Sequence, residues 1–333
     1  MALFAADSSS KNSLFILFVD IFDFPTFNFF TIIFSCFSVV GSIAYDTIET
    51  PFAKKERIIG GASIYGALGI SFFTKAYIVG IVGKDFNIDF LKNLKQKNIG
   101  VDGIKIVNGK TFYWQGKYHY DMKTRESLKT ELNVFANFNP EIPEKYKRIP
   151  FLFLANINPV LQLKVLNCMK NLKFTICDTM NYWIQNDKKN LLKVFKKVKC
   201  VVLNDEEIRE FSGIPNLIKG AKFIQKFGPK YVIIKKGEYG ASILGPDFYF
   251  TIPSFPIEDV IDPTGAGDSF GGAFIGYIAK QSKINKYILK RAVVHANIVA
   301  SFTVEDFGIE KLMKINIKDI KNRLRKLKEY SLF

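Results

Sequence analysis

The chain has 333 residues and is 48% hydrophobic, enough to build one large α/β domain or two modest ones, which excludes a disordered chain. Lys and Arg outnumber Asp and Glu by 47 to 31, a net charge of +16. The basic residues are spread out with no block or tail, so they read as solvated faces and no nucleic-acid partner is expected. Cys36, Cys168, Cys177 and Cys200 lack CxxC spacing, and with only His119 and His295 the chain offers neither a zinc site nor a triad; reduced thiols and a cytoplasmic location are expected.

Residues 1–37 are dense in Phe, but Asp20, Asp23, Pro25 and Asn28 interrupt the apolar run and no cleavage site follows it. The segment reads as a non-essential extension outside the fold, translated from upstream of the natural start. A membrane-associating segment is the alternative, and no stable membrane association is expected. From 38 to about 330, strand and helix signals alternate. FSVVGSIAY reads as a first core strand ending at Asp46, 62–73 as a helix, AYIVGIVG as a strand and DFLKNLKQKNI as a helix. Segments near 48–59 and 104–120 are β-rich, the second with an Asn108–Gly109 turn, and predict a small separate sheet serving as a lid. Alternation resumes with FLFLANI, FTICDT, CVVLND and YVIIKKG as strands between helices. ASILG and FYFTIP follow as two further β segments, and the remainder is helical apart from loops. Such alternation implies a mostly parallel sheet with helices on both faces. Ligands of such sheets gather at the carboxyl ends of the strands, where Asp46, Asn156, Asp178, Asn204 and Lys236 are expected.

The chemically informative stretch is VIDPTGAGDSFGGAFIGYIAK, residues 260–280. Phe270, Ala273, Phe274, Tyr277 and Ile278 have helical spacing, which puts Thr264–Asp268 at a helix amino terminus. The first N–H groups of a helix lack internal partners and the dipole favours an anion there. Gly265 and Gly267 let a phosphate approach closely, and the Asp268 carboxylate stands next to it, able to accept a proton from an attacking hydroxyl. Glycines at a helix start by themselves mean only a tight turn; the full string with Asp262 and Thr264 is far more specific.

DPTGAGDSF resembles the second signature of the PfkB/ribokinase family, and the resemblance runs over about residues 38–310. GSIAYD resembles the family's first strand, IIGGASIYGA its Gly-Gly signature, VVLNDEE its N-x-x-E pattern, IIKKGEYGA the following strand and turn, and HANIVASFTVEDFG its carboxyl-terminal helix and adenine-side loop. The resemblance implies a ribokinase-like three-layer α/β/α sandwich with a β-sheet lid, and an ATP-dependent kinase phosphorylating an alcohol of a sugar, or alternatively of a nucleoside. It implies Asp268 as general base, Gly265, Ala266 and Gly267 as anion hole, and Asp46, Gly60 and Gly61 as substrate-holding residues. Glu207 with Asn204 would orient water-bound Mg²⁺, Lys236 and Gly237 would lie along the nucleotide, and Asn297 would lie beside the adenine. Asp262 and Thr264 match part of a monovalent cation site, leaving K⁺ as an option beside ATP and Mg²⁺. Tyr65 stands where the family usually carries an Asn touching sugar hydroxyls, so an aromatic contact to a base or apolar substituent is the expectation there. DTMNYW resembles a substrate-side Asp-x-Asn loop only loosely.

Taken alone, several of these residues have ordinary structural uses. Asp46 can end a strand, Glu207 can favour a helix start through the dipole, His295 can be a packed histidine, and Trp114 with its neighbouring tyrosines can be lid packing. Rival functions fare worse. A P-loop at Asn108–Gly109–Lys110–Thr111 needs Gly at 104, which is Ile104. A non-catalytic metabolite binder is disfavoured by the intact Asp268 and glycines. An exposed lid edge offers a route to a homodimer.

Overall fold

The structure is a computed structural model and describes residues 37–332; apart from Phe37, the extension read over 1–37 lies outside the described residues. Seven strands run parallel: β1 (Phe37–Val40), β4 (Ala76–Gly83), β5 (Ile99–Val107), β8 (Phe151–Leu154), β9 (Phe174–Asp178), β10 (Cys200–Asn204) and β11 (Tyr231–Lys235). The antiparallel strands β12 (Ala241–Leu244) and β13 (Tyr249–Ile252) complete a nine-stranded sheet of order β13-β12-β11-β10-β9-β8-β1-β4-β5. A second sheet, of order β3-β2-β6-β7, joins β2 (Ala44–Glu49), β3 (Lys54–Gly60), β6 (Phe112–Tyr118) and β7 (Arg125–Glu131).

The helices are α1 (Ala62–Ser71), α2 (Ile88–Gln96), α3 (Glu144–Lys147), α4 (Pro159–Cys168), α5 (Asn181–Asn186), α6 (Lys188–Phe195), α7 (Asp205–Ser212), α8 (Leu217–Gln225), α9 (Ala266–Ala279), α10 (Lys286–Thr303), α11 (Glu310–Lys314) and α12 (Ile317–Ser331). Alternate residues of the central strands face opposite layers. Leu152, Leu154, Val201, Leu203, Val232 and Ile234 form one core with residues of α4, α6, α7 and α8. On the opposite face, Phe153 meets α1 at Gly66 and α9 at Gly271. A Cβ on Gly272 would stand 2.0 Å from the Gly66 carbonyl oxygen, so α1 and α9 cross in backbone contact. That contact ties the two glycine-rich signatures into one rigid unit. No helix among the described residues is long and apolar enough to cross a membrane.

Three expectations need correcting. FSVVGSIAY is two strands in two sheets, because the chain leaves the large sheet after Val40. Ser42 spends its polar groups on the start of α1: its carbonyl accepts from the Ser63 N–H (3.0 Å) and hydroxyl (2.7 Å), and its hydroxyl accepts from the Ala62 N–H (3.2 Å). Asp46 is therefore a residue of the small sheet and does not end a core strand. Ile104–Val107, read as lid, continue β5 and pair in parallel with Gly80–Gly83. The fourth strand of the small sheet, β7, is RESLKTE; six of its seven residues are exposed, and it carries no apolar alternation by which to find it.

Candidate active site

The site is built around the tip of α9, which the small sheet contacts through Tyr118. Gly265 takes φ +77°, a left-handed turn that starts the helix, and a Cβ there would fall 2.4 Å from the Tyr65 ring. Asp262, fully buried, builds this tip: its carboxylate accepts the Thr264 N–H and the Gly308 N–H, both at 2.9 Å. Among the described residues, the N–H groups of Gly265 and Gly267 have no acceptor, as an anion-binding helix start requires. The tip also meets the small sheet, where the buried Tyr118 hydroxyl lies 3.0 Å from the Thr264 hydroxyl.

Carboxylates converge on this tip from separate elements. Asp268 is in the first turn of α9, and its Oδ1 is buried without a partner. Burial, then the charge of Asp178, pushes its carboxyl up to about 7, while Lys235 and Arg125 pull the other way. Asp46 is pushed up to about 8, by burial first and then by Asp262 and Asp268; the Gly61 N–H and Arg125 offset part of this. Gly60 makes room for it, since a Cβ at that position would sit 1.9 Å from Asp46 Oδ2. Glu207 and Asn204 cap α7 reciprocally, each N–H donating to the other's side chain at 2.7 Å. Glu207 is buried, and its carboxyl is raised by that burial, with Lys235 opposing and Asp178 adding to it.

Lys235 ends β11, and its Nζ stands 3.3 Å from both oxygens of buried Asp178 at the end of β9. Burial works against its charge, but Asp178, Glu207 and Asp268 outweigh it and raise its pKa. The same ammonium would lie 2.8 Å from a Cβ on Gly267, so it packs directly on the glycine tip.

Beside the tip is a cleft of about 460 Å³ whose lining includes Lys236, Gly237, Gly267 and Asn297, together with Lys123 from the β6–β7 turn and Asp205 of α7. Lys236 Nζ donates to Thr251 Oγ1 (3.0 Å) and Asn297 Nδ2 to the Pro253 carbonyl (2.8 Å).

Of the sequence-predicted residues, Lys236, Gly237, Ala266, Gly267 and Asn297 line this cleft, while Asp46, Glu207 and Asp268 lie outside its lining; two other expectations are not met. Tyr65 is 1% exposed and its ring is wedged beneath Gly265, so it offers no face for stacking; its hydroxyl is buried without a partner. Asn181 of the DTMNYW loop is turned away to Glu210 Oε2 (2.6 Å). His295 stacks on Tyr277 at 4.2 Å, and burial pushes its pKa down to about 4. Sequence reasoning missed Tyr118, Arg125 and Lys235. The usable signal for Lys235 was strand register, which places it and not only Lys236 at the carboxyl end of β11.

The large mostly parallel sheet, the small second sheet and the glycine-lined helix tip between them make up a ribokinase-like fold. The chain belongs to the pfkB family of carbohydrate kinases, whose profile matches residues 59–315. It is 29% identical over 246 residues to the cytidine kinase of Thermococcus kodakarensis, covering 72% of this chain and 87% of that one. Its fold is similar to that of Arabidopsis thaliana ribokinase complexed with ribose and ATP (TM-score 0.70, 18% identity, 87% and 99% of the two chains). It is also similar to that of the Methanocaldococcus jannaschii nucleoside kinase (TM-score 0.70, 20% identity, 88% and 98%).

Proposed function

We propose that the protein moves the γ-phosphate of ATP to an alcohol group of a sugar, with Asp268 as general base and Gly265, Ala266 and Gly267 as anion hole. The carrying observation is Asp268 itself: a half-buried carboxylate whose buried Oδ1 has no partner, at a helix tip with unused N–H groups. Burial and the nearby acids hold its proton more tightly than usual, which suits a base working near neutral pH. Asp46, beside Gly60 and Gly61, would hold acceptor hydroxyls. The nucleotide would lie along Lys236, Gly237 and Asn297, which line the adjoining cleft.

Glu207 is a buried oxygen donor and Asp268 Oδ1 has no partner, and such oxygen donors suit a hard divalent cation held through water. Glu207, oriented by Asn204, would hold Mg²⁺ through water, and the bound ion would neutralise phosphate charge. A K⁺ site at Asp262 and Thr264 is tested by exchanging K⁺ for Na⁺ in the assay.

A nucleoside is the second reading of the acceptor. Tyr65 fills the position of the sugar-binding amide, and the relative named above is a cytidine kinase. ADP release over ribose, fructose, phosphosugars, adenosine, inosine, cytidine and uridine decides between them. With the accepted substrate, Asp268→Asn should lower kcat by about 10²–10⁴-fold; near-normal turnover removes Asp268 from this role.

A further inference from the structure

Charge that is scattered along the sequence is gathered by the fold at one end of the large sheet. Six connections bring the chain to the amino ends of the parallel strands β4, β5, β8, β9, β10 and β11: FFTK (72–75), KN (97–98), RIP (148–150), MKNLK (169–173), KKVK (196–199) and KFGPK (226–230). They hold ten Lys and Arg residues and no Asp or Glu. Lys75, Lys173, Lys199 and Lys230 each stand one residue before a strand and Arg148 three before, and all five are exposed. Strand pairing sets them in a row. Lys199 and Lys230 precede the partners Cys200 and Tyr231, Lys173 precedes Phe174, the partner of Phe151, and Lys75 precedes Ala76, the partner of Phe37. From β4 to β11 the row crosses six neighbouring strands, roughly 24 Å at ordinary strand spacing.

Ordinary structural roles do not account for this row. Among the described residues, none of the five cations has a carboxylate within 4.0 Å; Lys75 and Lys230 lie over the Tyr77 and Tyr231 rings, 5.1 and 5.6 Å from the centroids. Asp102 of β5 and Glu144 of α3 already bond Lys145 and Lys147, and Asp247 lies in the turn between β12 and β13. A helix dipole favours cations only within the last turn. The helices α1, α4, α6 and α8 end at Ser71, Cys168, Phe195 and Gln225, so Lys75, Lys173, Lys199 and Lys230 come four or five residues too late for it. The opposite strand ends hold Asp178 and lead into Glu207, so the sheet is basic at one end and acidic at the other. Phe37 opens β1 within the basic row, between β4 and β8, and residues 1–36 are therefore joined to the fold at that end. Those residues include nine Phe and four charged residues. Unpaired cations and an apolar aromatic segment on the same face are the two signals that together hold a protein on an anionic bilayer.

We propose that the amino-end face of the large sheet docks on an anionic phospholipid surface, with the Lys/Arg row at the headgroup phosphates and the Phe-rich segment supplying the apolar contact. The association is peripheral, reversible and salt-sensitive, and it spans nothing. The α9 tip and its cleft lie toward the carboxyl ends of the strands, so they stay open to solvent when the opposite face is on the surface. Nucleic acid carries the same phosphate charge but offers no apolar phase for the Phe-rich segment, which favours the bilayer.

The test is co-sedimentation of the full-length protein with vesicles of phosphatidylcholine alone and of phosphatidylcholine mixed with phosphatidylglycerol. Binding to the mixed vesicles is expected at about 0.1 M salt, where charges are felt over about 10 Å, and most of it should be lost at about 1 M, where the range is about 3 Å. Each cation near such a surface contributes about fivefold, so the triple variant Lys173→Gln, Lys199→Gln, Lys230→Gln should bind about 10–10²-fold more weakly. Its melting temperature should stay within about 2 °C of wild type, as for other exposed substitutions. The triple variant Lys318→Gln, Arg325→Gln, Lys326→Gln on α12 loses the same charge away from the strand starts and should bind within about threefold of wild type. Phe15→Ser, Phe18→Ser, Phe22→Ser in the full chain should weaken binding and leave a remainder that salt abolishes. Equal losses in the two charge variants, unchanged binding by the Phe variant, equal binding to neutral and anionic vesicles, or no binding by wild type overturns the proposal. Displacement from the vesicles by duplex DNA at equal phosphate concentration also overturns it, and makes the row a nucleic-acid surface instead.

Discussion

The two sides of the cleft handle charge in opposite ways. On the body side, the α9 tip and the start of α7 hold Asp268 and Glu207 in tightly packed surroundings, with carboxyls raised and Lys235 packed among them. On the lid side, the β6–β7 hairpin is largely exposed, and its charges form surface pairs, Arg125 apart. A packed wall holds its acids close together because it cannot relax, whereas an exposed ribbon keeps its charges in solvent-screened pairs. The comparison teaches that substitutions in the wall should act on chemistry and stability, and those in the ribbon on how well the cleft closes.

The largest effect expected from the wall, beyond Asp268 itself, is at Gly265. Gly265→Ala puts a Cβ into the Tyr65 ring at a left-handed φ. Strain and overpacking each cost about 1–3 kcal/mol, so thermal unfolding should drop by several degrees and kcat by at least tenfold. Unchanged melting and turnover would mean that the tip is not rigid.

Next is the pH response of the ligand-free protein. The folded-state pKa of Asp46 is above its unfolded value, so the favourable contribution is complete below about pH 4 and is lost as pH rises toward about 8. Asp268 and Glu207 act with the same sign. Melting temperature should fall between pH 6 and 8.5, and Asp46→Asn should fall less, by on the order of a few degrees. Parallel curves for the two proteins would remove the buried charge from Asp46.

The smallest effect belongs to the ribbon. Lys123, at the hairpin turn, lies 3.4 Å from Asp205 and 3.2 Å from Glu206 of α7, and its side chain is 57% exposed. Such pairs contribute about 1 kcal/mol at most, so Lys123→Met should raise the KM for ATP by no more than about fivefold, and less at high salt. A loss of kcat comparable to that of the wall variants would erase the distinction between the two sides.

Legibility in the sequence followed the range of the interactions. The α9 tip was readable because its helix spacing, its glycines and Asp268 all lie within one short run. The Asn204–Glu207 pair was readable as a local N-x-x-E pattern, and the structure adds that the two side chains cap α7 reciprocally. FSVVGSIAY was not readable as two strands, because the break depends on Ser42 bonding to α1 some twenty residues on. Arg125 was hidden in a strand with no apolar alternation, and Tyr65 was misplaced because nothing local says that its ring ends beneath Gly265.

The sequence by itself determined the alternation of elements, the family and the residues of the glycine tip, since propensity, periodicity and capping act between near neighbours. Only the tertiary structure decided which charges face one another: Asp46 from the small sheet, Asp178 and Lys235 from adjacent strand ends, Glu207 from a helix cap and Arg125 from an exposed edge. Strand register and the crossing of α1 on α9 set those distances, and neither is encoded in any one stretch of chain.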